Sequence, residues 1–553
     1  MIIGFDVGGT HIDGVIIKNK QIIKTIKKPV NHNYLENSIL NVLDVLVKDI
    51  KPNDLKQINL STTIATNAII EKKVNKVGLI LQTGPGLNLS NYDNEYVYFI
   101  DGYVDHRGEV VKDYSKSELK KAINYFKDQH LDYIAVASKF AIRNPRVELN
   151  IKKELDDEFK HLSLSHTLAG NLNYPRRITT TVLNASVSQI FNNFANKIQS
   201  SLLKKNINAP IYILKADGGL LSISDALNSP VETILSGPAA SLNGFLALLD
   251  INEDSLLIDI GGTTSDLFIL ANGVSLFEPL GASINKQKTL IRSIFSHSVG
   301  LGGDSQIKVI NNKLVIGPYR QGQPYALGGP SPTLTDAFIY LDQLEIGSKD
   351  KASEAINLIA NDLKMPKKDT AIKIINDFSY LLKKEVDLVL KEVNNKPIYT
   401  IKELLENKQI IPKSLNIIGG PAKLLKPSIE KHFNLKVTYP NNYEIANAIG
   451  AALSKQTAFV NVHVNTYKQT LIIPELGQTL KVSANLSLKE ASLYAYDALK
   501  ALTHQSLKES DYEIIEQNSF NMVDGFYTKG KNMRLKAQVK PGLIYKLEGK
   551  VNE

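Results

Sequence analysis

The chain has 553 residues with a formal net charge of +9, and it contains neither cysteine nor tryptophan. Without cysteine it can form no disulfide, no zinc site with thiolate ligands, no iron–sulfur cluster ligated by cysteine and no cysteine nucleophile. The lysines stand among acidic residues, as in residues 152–160, KKELDDEFK, which does not form the basic stripe typical of nucleic-acid binding and favours anionic small molecules as partners.

The first predicted elements are two strands joined by a glycine turn, in residues 2–18, IIGFDVGGTHIDGVIIK. Asp6 ends an apolar strand, and Gly8 and Gly9 can then bring backbone N–H groups close to an anion. Thr10 adds a hydroxyl donor. Because a carboxylate repels phosphate, Asp6 is better placed to hold a hydrated Mg²⁺. The pattern predicts a phosphate-binding hairpin, although an ordinary hairpin with a Gly-Gly turn explains this copy alone equally well.

Between this hairpin and the middle of the chain, predicted strands and helices alternate, as is typical of an α/β architecture. Apolar residues at helical spacing predict helices over residues 34–50, 115–129 and 179–205, and another helix is expected over residues 235–249. The length is too great for one hydrophobic core, so that about three to four domains are expected.

Two polar side chains in this half follow predicted strands. Asn67 comes after the strand in residues 57–66, QINLSTTIAT, where it could contact a substrate or cap a helix. Asp217 stands directly before Gly218 and Gly219 and could act as a base or lie beside Mg²⁺, although a turn aspartate before two glycines has the same pattern. Both interpretations stay open for each residue.

The glycine hairpin recurs in residues 256–270, LLIDIGGTTSDLFIL. Both copies contain the pattern D-x-G-G-T-x-x-D between apolar runs, about 250 residues apart, which indicates two similar half-molecules. Ordinary hairpins explain the identical register of both copies poorly, and the pair therefore predicts two phosphate-binding turns. The residues of the second copy are Asp259, Gly261, Gly262, Thr263, Thr264 and Asp266.

Two further glycine turns follow in the second half. Residues 297–309, HSVGLGGDSQIKV, contain a turn that could approach a phosphate or serve as a simple loop. Residues 414–424, SLNIIGGPAKL, lead an apolar strand into two glycines and then a helix, which suits an adenosine lying against backbone. Strands and one helix predicted after residue 456 indicate a separate small α+β domain. The cofactor-binding glycines predicted from the two turns are Gly302, Gly303, Gly419 and Gly420.

These stretches together resemble a known family. The two D-x-G-G-T turns and the late IIGG are similar to the phosphate and adenosine motifs of the ATPase superfamily that contains actin, sugar kinases and heat-shock proteins. More narrowly, the chain resembles a compact branch of the hydantoinase A/5-oxoprolinase family. The matching stretches cover residues 1 to about 455 and include DVGGTHID, STTIATNAIIEKK, TTTVLNA, ADGGL, LSGPAA, LIDIGGTTSD, GLGGDS, LGGPSPTLTDA and ANAIGAA.

The resemblance implies an α/β fold with two actin-like (ribonuclease H-like) ATPase domains around a nucleotide cleft. The first would cover residues 1–250 and contain the N-terminal insertion of hydantoinases. The second would cover residues 251–455 and contain the adenosine motif. Residues 456–553 would form the small C-terminal α+β domain.

The same resemblance implies an enzyme that uses ATP and Mg²⁺ to open a cyclic amide, such as a hydantoin, 5-oxoproline or a related lactam. ATP would phosphorylate the amide oxygen, which turns a poor leaving group into a good one, and water would attack the ring carbon. Asp6 and Asp259 would hold Mg²⁺ and act in catalysis together with Asp217. The glycines and threonines of the turns would bind the nucleotide.

The substrate side is less well defined by the resemblance. Asn67, Asp105 and His166 are the candidates for substrate contacts. Related enzymes can hold a metal beside the substrate, and Asp105, His106 and His166 could serve there, but ordinary surface or loop residues explain them better because their spacing forms no metal motif.

Several positions on that side depart from the family pattern. Thr167 stands where a glutamate often follows Ser-His, and Asp304 follows Gly303 where a second glycine is usual. These departures leave the substrate open. They also keep two alternatives: a small-molecule kinase on the same fold, with Asp217 as its base, and a non-catalytic nucleotide-binding subunit.

The resemblance also bears on partners and location. Members of the family commonly work with a B-type subunit, so that such a partner or a homo-oligomer could form. The sequence begins with a strand rather than a signal segment, and no apolar run reaches the about 18 residues needed to cross a bilayer. A cytoplasmic protein that binds a small cyclic amide, and neither nucleic acid nor membrane, is expected.

Overall fold

The computed structural model of the chain describes residues 1–30, 35–48, 50–87, 94–395, 409–503, 507–547 and 551–552. Helices and sheets alternate along it, which confirms the predicted α/β class. Among the described residues, no helix combines the length and the apolar character that crossing a membrane requires.

The first 250 residues supply two large sheets and one two-stranded sheet. Their strands are β1 (Ile2–Val7), β2 (His11–Lys18), β3 (Gln21–Pro29), β4 (Gln57–Thr62), β5 (Val77–Gln82), β6 (Val97–Phe99), β7 (Tyr103–Val104), β8 (Val110–Lys112), β9 (Tyr133–Ser138), β10 (His161–Leu164), β11 (Ile211–Leu214) and β12 (Leu220–Ser222). Their helices are α1 (Leu35–Val47), α2 (Ile64–Ile70), α3 (Lys116–Asp128), α4 (Arg146–Leu155), α5 (Ser165–Leu168), α6 (Tyr174–Lys204), α7 (Ile223–Asn228) and α8 (Ser236–Leu248).

The first sheet has the strand order β12-β11-β4-β1-β2-β3. β1 pairs antiparallel with β2 and parallel with β4, and β4 pairs parallel with β11. β1 is buried along its whole length because the sheet is covered on both faces, and its sequence IIGFDV is accordingly almost continuously apolar. A second sheet, of order β10-β9-β5-β6, is parallel throughout and belongs to the segment between β4 and α6.

The helices of this part begin and end close to their predicted limits, with one exception. α6 starts at Tyr174 rather than Thr179, because Asn173 caps it by accepting a hydrogen bond from the N–H of Arg176 and Pro175 fits the first turn. The predicted start of the first helix, residue 34, lies outside the described residues, and α1 ends at Val47 rather than at residue 50.

The middle of the chain supplies a third large sheet. Its strands and the small ones beside it are β13 (Ser255–Ile260), β14 (Ser265–Ala271), β15 (Val274–Ser275), β16 (Ser283–Ile284), β17 (Gln287–Lys288), β18 (His297–Val299), β19 (Ile307–Ile310), β20 (Lys313–Ile316), β21 (Ser414–Ile418) and β22 (Val437–Pro440). The helices are α9 (Leu334–Tyr340), α10 (Lys349–Leu363), α11 (Lys367–Asn395), α12 (Ala422–Phe433) and α13 (Ala446–Leu453).

This sheet repeats the strand order of the first one. It runs β15-β14-β13-β21-β22, with β13 antiparallel to β14 and parallel to β21. β13 and β14 therefore correspond to β1 and β2, and β21 corresponds to β4. The half-molecule repeat indicated by the sequence is present in the arrangement of the strands.

Most of the remaining elements form a fourth sheet with a helix packed on it. They are β23 (Phe459–Asn465), β24 (Thr470–Ile473), β25 (Gln478–Lys481), α14 (Leu488–Thr503), β26 (Tyr512–Asp524), β27 (Tyr527–Val539) and β28 (Val551–Asn552). The sheet order is β25-β24-β23-β27-β26, and its buried face shares a core with α14. β28 pairs with β22 instead, so that the end of the chain returns to the third sheet.

Two helices in close contact join the first and third sheets. α8 and α13 share one core with Val15 and Ile17 of β2 and with Leu257 of β13. A Cβ on Gly450 would lie 2.1 Å from the carbonyl oxygen of Ala240, a distance that a side chain cannot occupy. The two sheets are thereby held at a fixed separation, with their hairpins on the same side.

Candidate functional site

The two glycine turns predicted from the sequence face each other. β1 and β2 form a hairpin in which Asp6 stands opposite Asp13 in the strand register. β13 and β14 form a second hairpin, in which Asp259 stands opposite Asp266. A Cβ placed on Gly262 would lie only 3.4 Å from Cγ2 of Thr10. The structure therefore confirms both hairpins and brings their turns close together.

Several backbone N–H groups in these turns are free to bind a ligand. Each turn is closed by one bond, from the N–H of Gly8 to the carbonyl of His11 at 3.0 Å and from the N–H of Gly261 to that of Thr264 at 2.9 Å. Within the described part of the chain, the next N–H groups donate to no protein acceptor. They belong to Gly9, Thr10, Gly262 and Thr263.

The glycine-rich loop after β18 supports the second turn. The N–H of Gly303 donates to the carbonyl of Gly261 at 2.9 Å, and the N–H of Gly302 donates to Oγ of Ser305 at 2.8 Å. A Cβ on Gly302 would lie 2.6 Å from the backbone of Gly262. Since both N–H groups already donate to protein acceptors, they are not available to a ligand. The loop therefore supports the second turn.

The glycine pair after β21 lies beside the same turn. Gly419 has a φ of +95°, and a Cβ there would lie 2.2 Å from the carbonyl oxygen of Ile260 and 2.8 Å from Oδ1 of Asp259. Only glycine fits this position. Gly420, in contrast, has no atom within 4 Å of an added Cβ, so that its surface is open to a ligand.

Asp6 and Asp259 lie close together below the turns. Oδ2 of Asp259 accepts hydrogen bonds from Oγ of Ser241 at 2.6 Å and from Nδ2 of Asn447 at 3.0 Å. Oδ1 of Asp6 is buried and has no hydrogen-bond partner among the described residues. Burial, together with the charges of Asp13 and Asp259, raises the pKa of Asp6 to about 7.

The other two aspartates of the hairpins complete this acidic cluster. Asp13 forms an ion pair with Lys27 at 2.8 Å. Burial and the charge of Asp259 raise the pKa of Asp266 to about 7, although Ser298 donates a hydrogen bond to it. In the described residues, no three histidine or acidic side chains are placed to hold a metal ion by themselves. A cation here would need ligands from a bound phosphate or water as well as from the protein.

An arginine that the sequence did not single out lies beside both turns. Nη2 of Arg320 is 3.1 Å from Oδ2 of Asp304. That oxygen would be 3.0 Å from a Cβ on Gly262. Burial, followed by the charges of Lys27 and Arg320, lowers the pKa of His11 to about 4, which places Arg320 near the first turn too. No local sequence signal identifies Arg320, because its neighbours at the site come from distant segments.

Asp217 belongs to a different buried cluster. Its Oδ2 is 3.4 Å from Nζ of Lys215, and its Oδ1 accepts a hydrogen bond from the N–H of Gly219 at 2.9 Å. Although burial favours the neutral acid, Lys215 and then Arg292 hold the pKa of Asp217 below its ordinary value. Asp217 is therefore an ion-paired carboxylate at the turn after β11, and these contacts do not include the glycine hairpins.

Asn67 lies one helical turn after Thr63, the residue that contacts the end of β1. Its Nδ2 donates to Oγ1 of Thr63 at 3.2 Å, and Oγ1 of Thr63 donates to the carbonyl of Val7 at 3.2 Å. The alternative that Asn67 caps a helix is wrong, because the cap position of α2 is Thr63 and Asn67 lies inside the helix.

Asp105 and His166 lie in the part of the molecule that contains the second sheet. Asp105 is a turn residue between β7 and β8, where its Oδ1 accepts hydrogen bonds from the N–H groups of Arg107 and Glu109, both at 2.8 Å. His166 is fully buried, with Nδ1 2.6 Å from Oε2 of Glu148. The structure does not connect either residue to the glycine turns.

Comparison with known proteins adds two matches to one family. A sequence model described as hydantoinase/oxoprolinase matches residues 177–459, just over half of the chain, and one described as hydantoinase/oxoprolinase N-terminal region matches residues 2–159. Caprolactamase subunit alpha of Pseudomonas jessenii is 25% identical in an alignment of 387 positions, gaps included, that covers 63% of this chain and 55% of that protein. The 5-oxoprolinase of Saccharomyces cerevisiae is 25% identical in an alignment of 414 positions, gaps included, that covers 62% of this chain and 32% of that enzyme.

The fold has a counterpart among solved structures. The crystal structure of ATP-dependent caprolactamase from Pseudomonas jessenii superposes with a TM-score of 0.69 and covers 97% of this chain and 87% of that one, at 19% identity. At that identity the likeness concerns the fold. The chain spans about half of the caprolactamase subunit and about a third of the yeast 5-oxoprolinase to which its sequence aligns.

Proposed function

The chain belongs to the hydantoinase/oxoprolinase family, and on that premise we propose that it is an ATP-dependent hydrolase that opens a cyclic amide. The observation that carries the proposal is that two Gly-Gly-Thr turns come close together. Each turn has N–H groups that donate to no protein acceptor in the described part of the chain, and the neighbouring carboxylates Asp6 and Asp259 lie below them. Two of its relatives, caprolactamase and 5-oxoprolinase, are named for cyclic amides.

We describe the fold as two actin-like, ribonuclease H-like domains, residues 1–250 and 251–455, followed by a C-terminal domain of residues 456–553. The shared strand order of the first and third sheets supports this division. So does the closeness of the two hairpin turns, because nucleotides bind between such turns in folds of this kind.

ATP would bind with its phosphates between the turns. Backbone N–H groups of Gly9 and Thr10 would contact them from one side, and those of Gly262 and Thr263 from the other. The hydroxyl groups of Thr10, Thr263 and Thr264 add donors. Adenosine would lie against the open surface of Gly420, while Gly8, Gly261, Gly302, Gly303 and Gly419 shape and support the turns.

Mg²⁺ fits the acidic side of this site. The unpartnered Oδ1 of Asp6 and the neighbouring charge of Asp259 are the kind of oxygen ligands that this ion takes, and it commonly combines one or two carboxylates with phosphates and water. Bound there, the ion would neutralise charge on the phosphates. Asp6 and Asp259 are the residues that would hold it.

The proposed reaction activates an otherwise unreactive amide. The amide oxygen attacks the γ-phosphorus of ATP, and ADP leaves. Water adds to the activated ring carbon, the ring carbon–nitrogen bond breaks with a proton transferred to nitrogen, and a second water releases the phosphate. The products are the open-chain amino acid, ADP and inorganic phosphate. The contribution of the protein is to position the reactants and to stabilise the charge on the transferred phosphoryl group.

The geometry gives less support to a kinase. A kinase of this fold would need a free base beside the phosphates, and Asp217, its candidate, is paired with Lys215 in a separate cluster. A B-type partner subunit remains part of the proposal, because one relative is named as the alpha subunit of caprolactamase.

The test is an assay of ADP release by the purified chain, with and without the product of a neighbouring gene, in the presence of caprolactam, 5-oxoproline or hydantoin. We expect at least one cyclic amide to stimulate ADP release and to yield the ring-opened acid. ATP binding with no stimulation by any cyclic amide would contradict the proposal and would favour a non-catalytic nucleotide-binding subunit.

A further inference from the structure

Arg320 and Asp304 form an ion pair at the point where the two turns meet. The pair is mostly buried, with 22% of the Arg320 side chain and 16% of the Asp304 side chain exposed. Oδ2 of Asp304 lies against Gly262, and Thr10 of the opposite turn approaches the same glycine. The positive charge of Arg320 is also felt by His11, next to Thr10. The guanidinium is therefore within reach of whatever binds between the turns.

The loop that carries Arg320 is fixed on both sides of it. The N–H of Gln306 donates to the carbonyl of Tyr319 at 2.8 Å, and Nε2 of Gln306 donates to Oε1 of Gln321 at 2.8 Å. Asp304 is fixed as well, because its N–H donates to the carbonyl of Gly262 at 2.7 Å and Oγ1 of Thr335 donates to its Oδ1 at 3.2 Å. Both members of the pair are thus held in place before any ligand arrives.

The guanidinium has donors left over. Asp304 engages Nη2, and Nε of Arg320 is buried with no hydrogen-bond partner in the described part of the chain. A planar guanidinium with free N–H groups is well suited to bind phosphate oxygens. Asp304 also needs a cation beside it, since an unneutralised carboxylate at this position would repel the phosphates of a nucleotide.

We propose that Arg320 is an additional phosphate-binding residue that contacts the β- or γ-phosphate of ATP between the turns, with Asp304 as the residue that positions it. The inference rests on the proposed function only in assuming that a nucleotide binds there. It accounts for an aspartate at a position where the family pattern has glycine, because the acid orients an arginine that contributes a charge the turns themselves lack.

The experiment is calorimetric titration of the full-length chain with ATP, ADP and adenosine. Arg320→Gln is expected to weaken ATP binding about 10- to 100-fold and to leave adenosine binding within about twofold of the wild type. Arg320→Lys, which keeps the charge, is expected to lose less. Arg146→Gln, which removes an arginine paired with Asp113 away from the turns, is the matched control and should bind ATP as the wild type does.

A double variant separates phosphate binding from simple charge neutralisation. If Arg320 contacts phosphate, then Arg320→Gln combined with Asp304→Asn still binds ATP weakly. If Arg320 only neutralises Asp304, the double variant regains wild-type affinity, and the proposal is overturned. Equal loss of ATP and adenosine binding in both Arg320→Gln and Arg320→Lys would overturn it too.

The inference and the proposed function fail in different ways. Wild-type chain that binds ATP, with Arg320→Gln binding it equally well, overturns the inference alone. ATP binding that depends on Arg320, without turnover of any cyclic amide, overturns the proposed function alone. Wild-type chain that binds neither ATP nor ADP overturns the nucleotide site and both proposals with it.

Discussion

Asp6, like Asp13, has a buried carboxylate oxygen without a hydrogen-bond partner among the described residues. Its pKa, raised to about 7 by burial and by Asp13 and Asp259, shows that the fold tolerates the neutral acid well. Asp6→Asn should therefore fold with unchanged or slightly increased stability, because asparagine resembles the neutral acid. ATP turnover should fall about 100-fold or more, since the charge that would hold the cation is lost. ADP release and thermal melting at pH 8 measure both effects.

Asp132→Asn is the matched control for this substitution, because Asp132 is a surface residue paired with Lys160 at 2.7 Å. Its turnover should equal that of the wild type. Full turnover by Asp6→Asn, with wild-type stability, would show that Asp6 has no role in the reaction.

At the scale of single residues, the sequence predicts the site only where the chemistry is local. Asp6 and Asp259 could be identified because each stands next to its own glycine turn. Arg320 could not, since it meets its ion-pair partner Asp304 and comes near His11 of the first turn only in the folded chain. Asp217 shows the converse, because a promising motif proved to be ion-paired with Lys215, two residues earlier.

Among the elements, the two hairpins were predictable because strand, turn and strand are continuous in the sequence. Their registers follow from two apolar runs of matched length on either side of each turn. The loop containing Gly302 and Gly303 was harder to interpret, because a glycine turn looks the same whether its N–H groups face a ligand or a neighbouring loop. Here they face Ser305 and Gly261.

The glycine pair after β21 offers a prediction about an element. Gly419→Ala should lower the free energy of unfolding by roughly 2 kcal/mol or more, because the new Cβ would meet the carbonyl of Ile260 in a left-handed conformation. Gly420→Ala meets no atom within 4 Å and should leave stability unchanged. If adenosine lies against this surface, Gly420→Ala should weaken adenosine binding. Denaturant unfolding and calorimetric titration of both variants check these expectations.

The two substitutions act as controls for each other. They introduce the same methyl group at adjacent positions and differ only in the space and backbone conformation that receive it. Wild-type adenosine affinity in a stable Gly420→Ala variant would mean that adenosine lies elsewhere in the cleft.

At the scale of the whole molecule, the site depends on contacts between parts that are far apart in sequence. The two hairpins meet because α8 and α13 approach each other through Gly244 and Gly450 and hold the first and third sheets together. The repeat in the sequence predicts two halves, but it does not determine the distance between them. That distance is set by small residues whose role is apparent only when the opposing backbone is known.

One contact between the C-terminal sheet and the rest of the molecule involves a partly buried acid, Glu475. Its carboxylate accepts hydrogen bonds from the N–H of Asn461 at 3.1 Å and from Nδ2 of Asn461 at 2.6 Å, and a Cβ on Gly170, which precedes α6, would lie 2.3 Å from its Oε1. Burial raises the pKa of Glu475 to about 7, although these hydrogen bonds act to lower it. The folded protein thus favours the neutral form of this side chain.

The direction of the pH effect follows from this shift. Between pH 4.5, the ordinary pKa, and about 7, the folded state binds more protons at Glu475 than the unfolded state does. The contribution of Glu475 to the free energy of unfolding therefore falls as pH rises through this range, by about 1–3 kcal/mol, and is constant above it. Glu475→Gln cannot ionise and should show a correspondingly smaller loss of stability between pH 5 and pH 8.

Denaturant unfolding of the full-length chain at both pH values measures this difference. Because other groups titrate too, the informative quantity is the change between wild type and Glu475→Gln, with Glu354→Gln on the exposed face of α10 as the control. The control should retain the whole pH dependence of the wild type. If Glu475→Gln retains it as well, ionisation of Glu475 does not act on the fold, and the junction between the C-terminal sheet and the segment before α6 is insensitive to its charge.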